Sequence, residues 1–389
     1  MSSSGDLRAR PGTHGAWQVV VRPSRVLYGA GRLADLGSLV AELGGRRVLV
    51  VTDTGIRAAG HVTAALRSLG AASIEAFVFD AIAENPTTEH VEAAAAAGRG
   101  HAVDFLVGLG GGSALDCAKG ANFLLTNGGR MEDYRGWNRA ARPMLPSVGV
   151  PCTAGTGSEA QSYALIAQAQ SQVKMACGDD KARFTAVVLD PLLPRTAPRA
   201  VTAVAGYDAL SHAVESFVSR DANAVSRLFA REAWRLLERS YESVVGGAAD
   251  EAIWGDMLLG SHLAGAAIEA SMLGAAHACA NPLTARFGVT HGIAVGLMLP
   301  AVVRANASTA AALYADLLDL PVAGAAEALA GQLEGLRAAG GLPSRLRSVG
   351  VGADALPALA ADALGQWTLE HNPRALGEAD LLALYESAL

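Results

Sequence analysis

The chain is 389 residues long, 51% hydrophobic and 17% charged, with 44 glycines and a net charge of −6. That length exceeds the roughly 250 to 300 residues at which a single hydrophobic core stops growing, so two domains are expected, and the composition excludes long disorder. A negative balance with no basic run excludes an electrostatic footprint for nucleic acid or an anionic membrane, which leaves small polar metabolites as the expected partners.

Residues 1–16 read as a tail: Met1 to Gly15 is small, polar and charged, without the apolar segment of a signal peptide. A short strand-like run, Trp17 to Val21, precedes a helical pattern over Gly31 to Leu43 and a continuous β-branched run, Arg47 to Thr52, of the kind buried in parallel sheets. The alternation continues with helix His61 to Leu69, strand Glu75 to Phe79, helix Thr88 to Arg99, strand Asp104 to Leu109, helix Ser113 to Leu125 and strand Ser147 to Val150. Such a series is the signature of a doubly wound sheet, which binds ligands at the carboxyl ends of its strands. Tyr163 to Ala169 and Gln172 to Ala176 then suit a hairpin, and Thr185 to Leu189 is the last strand. From Val201 onward the period is helical, with breaks expected at Gly246-Gly247, Pro282, Pro300, Pro321, Gly340-Gly341 and Pro357. The expected organisation is therefore an α/β domain over residues 17–200, Rossmann-like in its parallel sheet, followed by an all-helical domain over 201–389.

No apolar stretch reaches the roughly 18 residues of a spanning helix without a charge or a turn signal. Cys117, Cys152, Cys177 and Cys279 form no CxxC pair, so isolated thiols in a reducing, cytoplasmic setting are expected.

Two loops carry the chemistry of the first domain. Gly108-Leu109-Gly110-Gly111-Gly112-Ser113 joins a strand to a helix, where close backbone approach and the helix N-terminus suit a pyrophosphate. The spacing is not GxGxxG, and a single glycine turn is more often only a tight turn. Pro151-Cys152-Thr153-Ala154-Gly155-Thr156-Gly157-Ser158-Glu159, dense in hydroxyls and glycines, also follows a buried strand, and two such loops at strand ends should face one crevice. Asp53, directly after another strand, suits the adenosine ribose hydroxyls and would disfavour a 2′-phosphate, yet it suits an Asx turn equally well.

In the second domain Asp208 and His212 stand four apart, on one helical face. His277 lies on a second helical run, Met272 to Ala280, and His291 opens a third just inside the cap residue Thr290. A carboxylate and three imidazoles in apolar surroundings suit a divalent metal. Each histidine alone is more often a hydrogen-bonded core or surface residue, and spacing leaves the two readings in balance.

Taken together, Gly110-Gly111-Gly112-Ser113 with Asp116 and Lys119, Thr153 to Glu159, Asp190-Pro191, Asp208-Ala209-Leu210-Ser211-His212-Ala213-Val214-Glu215, and His277 with His291-Gly292 resemble the iron-containing (group III) alcohol dehydrogenases in order and spacing. The resemblance runs from about Trp17 to the end of the chain. It implies Asp208, His212, His277 and His291 as ligands of a catalytic Fe2+ (or Zn2+), and Asp53, Asn85, Gly111, Gly112, Ser113, Thr153, Thr156 and Lys174 around NAD (or NADP). It further implies hydride transfer between NAD(H) and a small alcohol/aldehyde pair, in a homodimer. Two other chemistries share the wider fold group: a lyase or cyclase resembling dehydroquinate synthase, in which NAD cycles without net redox, and a metal-free maleylacetate-type reductase. A non-catalytic scaffold is the third alternative. Two positions depart from the family pattern. Asn281 stands where the family often has a second histidine one turn after the third ligand, and an amide is no base near neutral pH. Cys152 replaces a common threonine, as either a reactive thiol or a small buried filler.

Overall fold

The computed structural model describes residues 24–170 and 173–389 and divides into two compact units, 24–202 with 247–265 and 203–246 with 266–389. The expected tail and the strand Trp17 to Val21 lie outside the described residues.

In the first unit the elements are β1 (Arg25–Tyr28), α1 (Leu36–Glu42), β2 (Arg47–Val51), α2 (Thr54–Ala58), α3 (His61–Ala71), β3 (Glu75–Phe79), α4 (Thr88–Gly100), β4 (Phe105–Gly110), α5 (Gly112–Asn127), β5 (Gly136–Trp137), β6 (Ser147–Pro151), β7 (Tyr163–Ala167), β8 (Lys174–Gly178) and β9 (Ala186–Leu189). One parallel sheet runs β1-β9-β6-β4-β2-β3. Its inner strands β4, β6 and β9 are buried along their whole length, which is why, apart from Ser147 at the start of β6, their sequences are apolar runs and not alternating ones. Val48, Val50, Val107, Leu109 and Val150 join Leu36 and Val40 of α1 and Val62 and Leu69 of α3 in one core, while α4 packs on α5 and α5 on β4. A smaller sheet, β5-β8-β7, contains the expected hairpin, with its second strand beginning two residues later than the pattern implied. Neither β1 nor the two-residue β5 is foreshadowed by a strand-like run.

The helices that follow are α6 (Arg199–Val218), α7 (Ala224–Val245), α8 (Glu251–Ala270), α9 (Ala275–Phe287), α10 (His291–Ala305), α11 (Ala307–Leu318), α12 (Ala325–Ala339), α13 (Leu356–Leu364) and α14 (Glu378–Ala388). Among the described residues no strand follows β9, so the fold class is the expected one, α/β then all-α. α7 starts where Asn223 accepts from the Val225 and Ser226 amides, and it ends at Gly246. The breaks expected at Pro282 and Pro300 do not occur, since both prolines sit inside helices, α9 and α10. Each removes one i→i−4 bond, but both are buried, and tertiary packing overrides the local penalty.

One segment departs from the expected two-part division: residues 247–265, helical as expected, belong to the α/β unit. Gly157 explains part of this. Its φ is +59°, and a Cβ there would stand 2.6 Å from Gly265 Cα and 2.9 Å from the Ser261 carbonyl, so the second glycine loop and α8 meet backbone to backbone. His262 of α8 also binds Glu159 of that loop through Nδ1, at 3.2 Å.

Candidate metal centre and nucleotide-binding loops

α6 is buried on nearly every face from Gly206 to Ser219, so its polar side chains need partners inside the protein. Asp208 and His212 point from one side of it, Asp208 Oδ1 standing 3.5 Å from His212 Nε2. The same carboxylate oxygen is 3.6 Å from His277 Nε2 of α9 and 4.0 Å from His291 Nε2 at the first residue of α10. Asp208, His277 and His291 offer ligand atoms that all lie within 4.8 Å of one another, and the His212 ring stacks on that of His277 with centroids 5.0 Å apart. Asp208, His212 and His277 are 3–5% exposed, while the His291 side chain keeps 24%. Three imidazoles around one carboxylate oxygen, at distances slightly beyond hydrogen bonds, form a cage and not a hydrogen-bonded cluster. Among the described residues, Asp208 Oδ1 and His277 Nε2 are buried atoms with no hydrogen-bond partner. That is costly unless a cation sits between them, so the donor set fits a divalent ion.

Burial alone would raise the Asp208 carboxyl, but the charges of His212 first, then of His291 and His277, outweigh it and hold it far below the usual carboxylate range. Burial disfavours a charged His277 ring, yet Glu215 and Asp208 outweigh this and lift it to about 9. Glu215, one helical turn beyond His212 and 4% exposed, accepts from His277 Nδ1 through Oε2 and from the Ala276 amide through Oε1, the latter at 2.7 Å.

At the carboxyl ends of β2, β4 and β6 the two glycine loops converge. α5 starts at Gly112 with Gly111 as its cap residue, so Ser113 lies inside the first turn and does not cap the helix; its hydroxyl instead accepts from the Asn85 amide at 3.3 Å. A Cβ on Gly112 would stand 2.7 Å from Thr156 Cγ2 and 2.8 Å from its hydroxyl, so only glycine lets the two loops close around a shared cradle. A Cβ on Gly111 would likewise stand 3.4 Å from Thr153 Oγ1. Asp53 caps α2, accepting from the Ile56 amide at 2.9 Å through Oδ1, while Oδ2 faces the end of β4 at Gly110. Lys174 opens β8 opposite Ala167, whose amide bonds to the Pro86 carbonyl beside Asn85.

The sequence-derived site residues thus gather into two clusters, Asp208, His212, His277 and His291 in one unit, and Asp53, Asn85, Gly111, Gly112, Ser113, Thr153 and Thr156 in the other, with Lys174 on the adjoining hairpin. Several working residues were not assigned roles from the sequence. Glu215 is one, although its place three residues after His212 put it on the helix that carries Asp208 and His212. Lys119 is another: its ammonium is 2% exposed and donates to the carbonyls of Ser158 at 2.9 Å, Gln161 at 3.3 Å and Tyr163, with Asp116 Oδ1 at 3.1 Å. Cys152 is the filler and not the reactive thiol, since burial, reinforced by the charges of Asp53 and Asp190, pushes it far above the ordinary thiol range. The Asn281 amide donates to Gln366 Oε1 at 3.0 Å.

Residues 23–191 match the family described as iron-containing alcohol dehydrogenase, and residues 202–389 match the C-terminal domain of the same family. The chain is 33% identical over 376 residues to the 1,3-propanediol dehydrogenase of Klebsiella pneumoniae, covering 94% of this chain and 97% of that one. It is 29% identical to the NAD-dependent methanol dehydrogenase of Bacillus methanolicus, covering 94% and 98%. A crystal structure of a 1,3-propanediol oxidoreductase superposes with a TM-score of 0.91 at 32% identity, over 94% of this chain and 98% of that chain.

Proposed function

The chain belongs to the iron-containing alcohol dehydrogenase family and is an NAD-linked alcohol/aldehyde oxidoreductase, and from that premise we propose how its own residues carry the reaction. Asp208, His212, His277 and His291 hold the metal; Asp53, Asn85, Gly111, Gly112, Ser113, Thr153, Thr156 and Lys174 hold the dinucleotide. The observation that carries the reading is the Asp208 oxygen set among three imidazole nitrogens at 3.5–4.0 Å, buried and without a hydrogen bond among the described residues. With both groups bound, divalent iron supplies Lewis-acid polarisation of an alcohol or aldehyde oxygen and the nicotinamide exchanges hydride with the carbinol carbon.

The protein's share is placement and charge. One carboxylate against three neutral rings leaves the site a net positive charge with a divalent ion, which favours alkoxide character over neutral alcohol. His291, the most exposed of the four, marks the open side on which a substrate oxygen enters. In the α/β unit the first turn of α5 and the Thr153 and Thr156 hydroxyls cradle the pyrophosphate, and Asp53 meets the adenosine ribose, favouring NAD over NADP. The Asn281 amide takes up no proton near neutral pH, so water or a ribose hydroxyl relays it.

Short primary alcohols and their aldehydes are the proposed substrates, in keeping with relatives named for 1,3-propanediol and methanol. We further propose a cytoplasmic homodimer: the four cysteines are free and buried, and among the described residues β1 forms a sheet edge with Val26 and Tyr28 exposed, an edge that a second copy would cover. The test is NADH formation from 1,3-propanediol and shorter alcohols with added Fe2+, alongside the metal content of protein purified without chelator. Asp208→Ala and His277→Ala are expected to lose both metal and turnover. Full retention of both would overturn the reading. The lyase and metal-free alternatives are not favoured by relatives that are themselves alcohol dehydrogenases.

A further inference from the structure

We propose that Glu215 is a positioning residue that selects which nitrogen of His277 faces the metal, and that it does so by spending both carboxylate oxygens as acceptors. The inference rests on the assignment of His277 as a ligand. Glu215 stands on α6, the helix that also carries Asp208 and His212, and reaches across to the first turn of α9. Its Oε1 accepts from the Ala276 amide at 2.7 Å, one of the N–H groups that a helix start leaves unpaired. Its Oε2 accepts from His277 Nδ1. A ring whose Nδ1 keeps its proton presents Nε2 as the lone pair, and Nε2 is the nitrogen 3.6 Å from Asp208 Oδ1. One side chain therefore fixes the axial position of α9 through Ala276 and the rotation and tautomer of the ring through Nδ1.

Little can substitute for it. Glu215 is 4% exposed, and the void it borders, with Asn306, Tyr314 and Asn372, is about 10 Å3, room for one water at most. Glutamine has the same length and shape but one acceptor and one donor. Turned with its oxygen to Ala276, it offers an N–H to His277 Nδ1, which favours the tautomer with its proton on Nε2, where the metal needs a lone pair. Turned the other way, it sets an N–H against the Ala276 amide and loses the bond that seats the helix. Either orientation weakens the metal site without removing a ligand.

The experiment measures Zn2+ and Co2+ affinity of the full-length apoprotein by chelator competition, together with the visible absorption of the Co2+ form, in the wild type, Glu215→Gln, Glu215→Asp, His277→Ala and Asp208→Ala. NAD affinity and the melting temperature of each apoprotein serve as checks on folding. Glu215→Gln is expected to lose about 10- to 100-fold in metal affinity, with an altered Co2+ spectrum and unchanged NAD affinity. Glu215→Asp keeps the charge but is too short to span both donors, and it is expected to weaken binding similarly, which keeps the test decisive where the glutamine variant fails to fold. A folded Glu215 variant with wild-type affinity and spectrum, beside His277→Ala and Asp208→Ala that have lost the metal, overturns the positioning role alone. If those two ligand variants also bind the metal normally, the metal site itself is misassigned.

Discussion

Two buried aspartates show how differently the two units use polar groups. Asp190, after β9, is 1% exposed and saturated: Oδ1 accepts from the amides of Gly31 and Leu192 at 3.0 and 3.1 Å, and Oδ2 from that of Leu33 at 3.0 Å. Asp208, on α6, is 5% exposed, and its Oδ1 has three imidazoles around it and no hydrogen bond among the described residues. Both residues stand in motifs of the family pattern, and spacing alone does not tell a metal-binding carboxylate from a structural one. Geometry does, because a satisfied carboxylate ties loops together, while one left unbonded inside a cage of donors marks where another charge belongs.

The sharpest way to break this contrast is to remove one charge at a time. Asp208→Asn preserves volume and removes the one carboxylate of the proposed ligand set, so turnover is expected to fall at least about a thousandfold, ~4 kcal/mol of transition-state stabilisation, with metal content falling in parallel and NAD affinity intact. Steady-state kinetics with metal analysis reads this. Asp190→Asn should do the reverse. An amide nitrogen cannot accept, so at least one of the three backbone donors is left unpaired, and chemical denaturation should show a loss of about 1–3 kcal/mol while metal content per folded molecule stays unchanged. Loss of metal on Asp190→Asn, or its retention on Asp208→Asn, would erase the distinction.

Lys119 extends the satisfied side of the comparison. Its ammonium, on α5, holds the Ser158 carbonyl of the second glycine loop and two carbonyls just after that loop, and Asp116 beside it accepts from the Ser158 hydroxyl. This network joins the helix of the first loop to the second loop, so Lys119→Met leaves a buried carboxylate and three carbonyls without their cation. A destabilisation of about 3 kcal/mol is expected, with weaker NAD binding in whatever fraction folds and no change in metal affinity. Thermal melting and NAD titration check it, and a variant that melts like the wild type would show the cation to be dispensable.

The sheet was legible because strands buried on both faces must be apolar throughout, and the helices because their stripes keep a 3.6-residue period. β1, an edge strand among the described residues, escaped notice because its sequence, Arg25-Val26-Leu27-Tyr28, is mixed and mostly exposed. Pro282 and Pro300 misled because a local rule, proline as helix breaker, yields where the helix is clamped on several sides. The grouping of residues 247–265 with the sheet was invisible for a related reason: it turns on the Gly157–Gly265 contact, which joins residues far apart in sequence. Of the candidate site, the residue types and their helical spacing were readable; the partners that orient these side chains were not. Glu215 and Lys119 look like ordinary charges on a helix until burial and geometry are known.

Asp53 is the residue on which the two modes of use meet, and it has the smallest expected effect. Oδ1 is engaged as the cap of α2, through the Ile56 amide at 2.9 Å, so the turn reading is realised. Oδ2 faces Gly110 at the mouth of the first glycine loop, where a ribose would bring hydroxyls. Serine separates the two roles, since its hydroxyl caps helices about as well as a carboxylate while carrying no charge. If Asp53 only caps, Asp53→Ser should leave stability and cofactor choice alike unchanged. If it also reads the ribose, stability should still hold, but the ratio of kcat/KM with NAD to that with NADP should fall about tenfold, ~1.4 kcal/mol, because the anion that repels a 2′-phosphate has gone. Measuring both cofactors on one substrate decides between the readings, and a fall in NAD and NADP efficiency by equal factors would place the effect in the loop's shape and not in its charge.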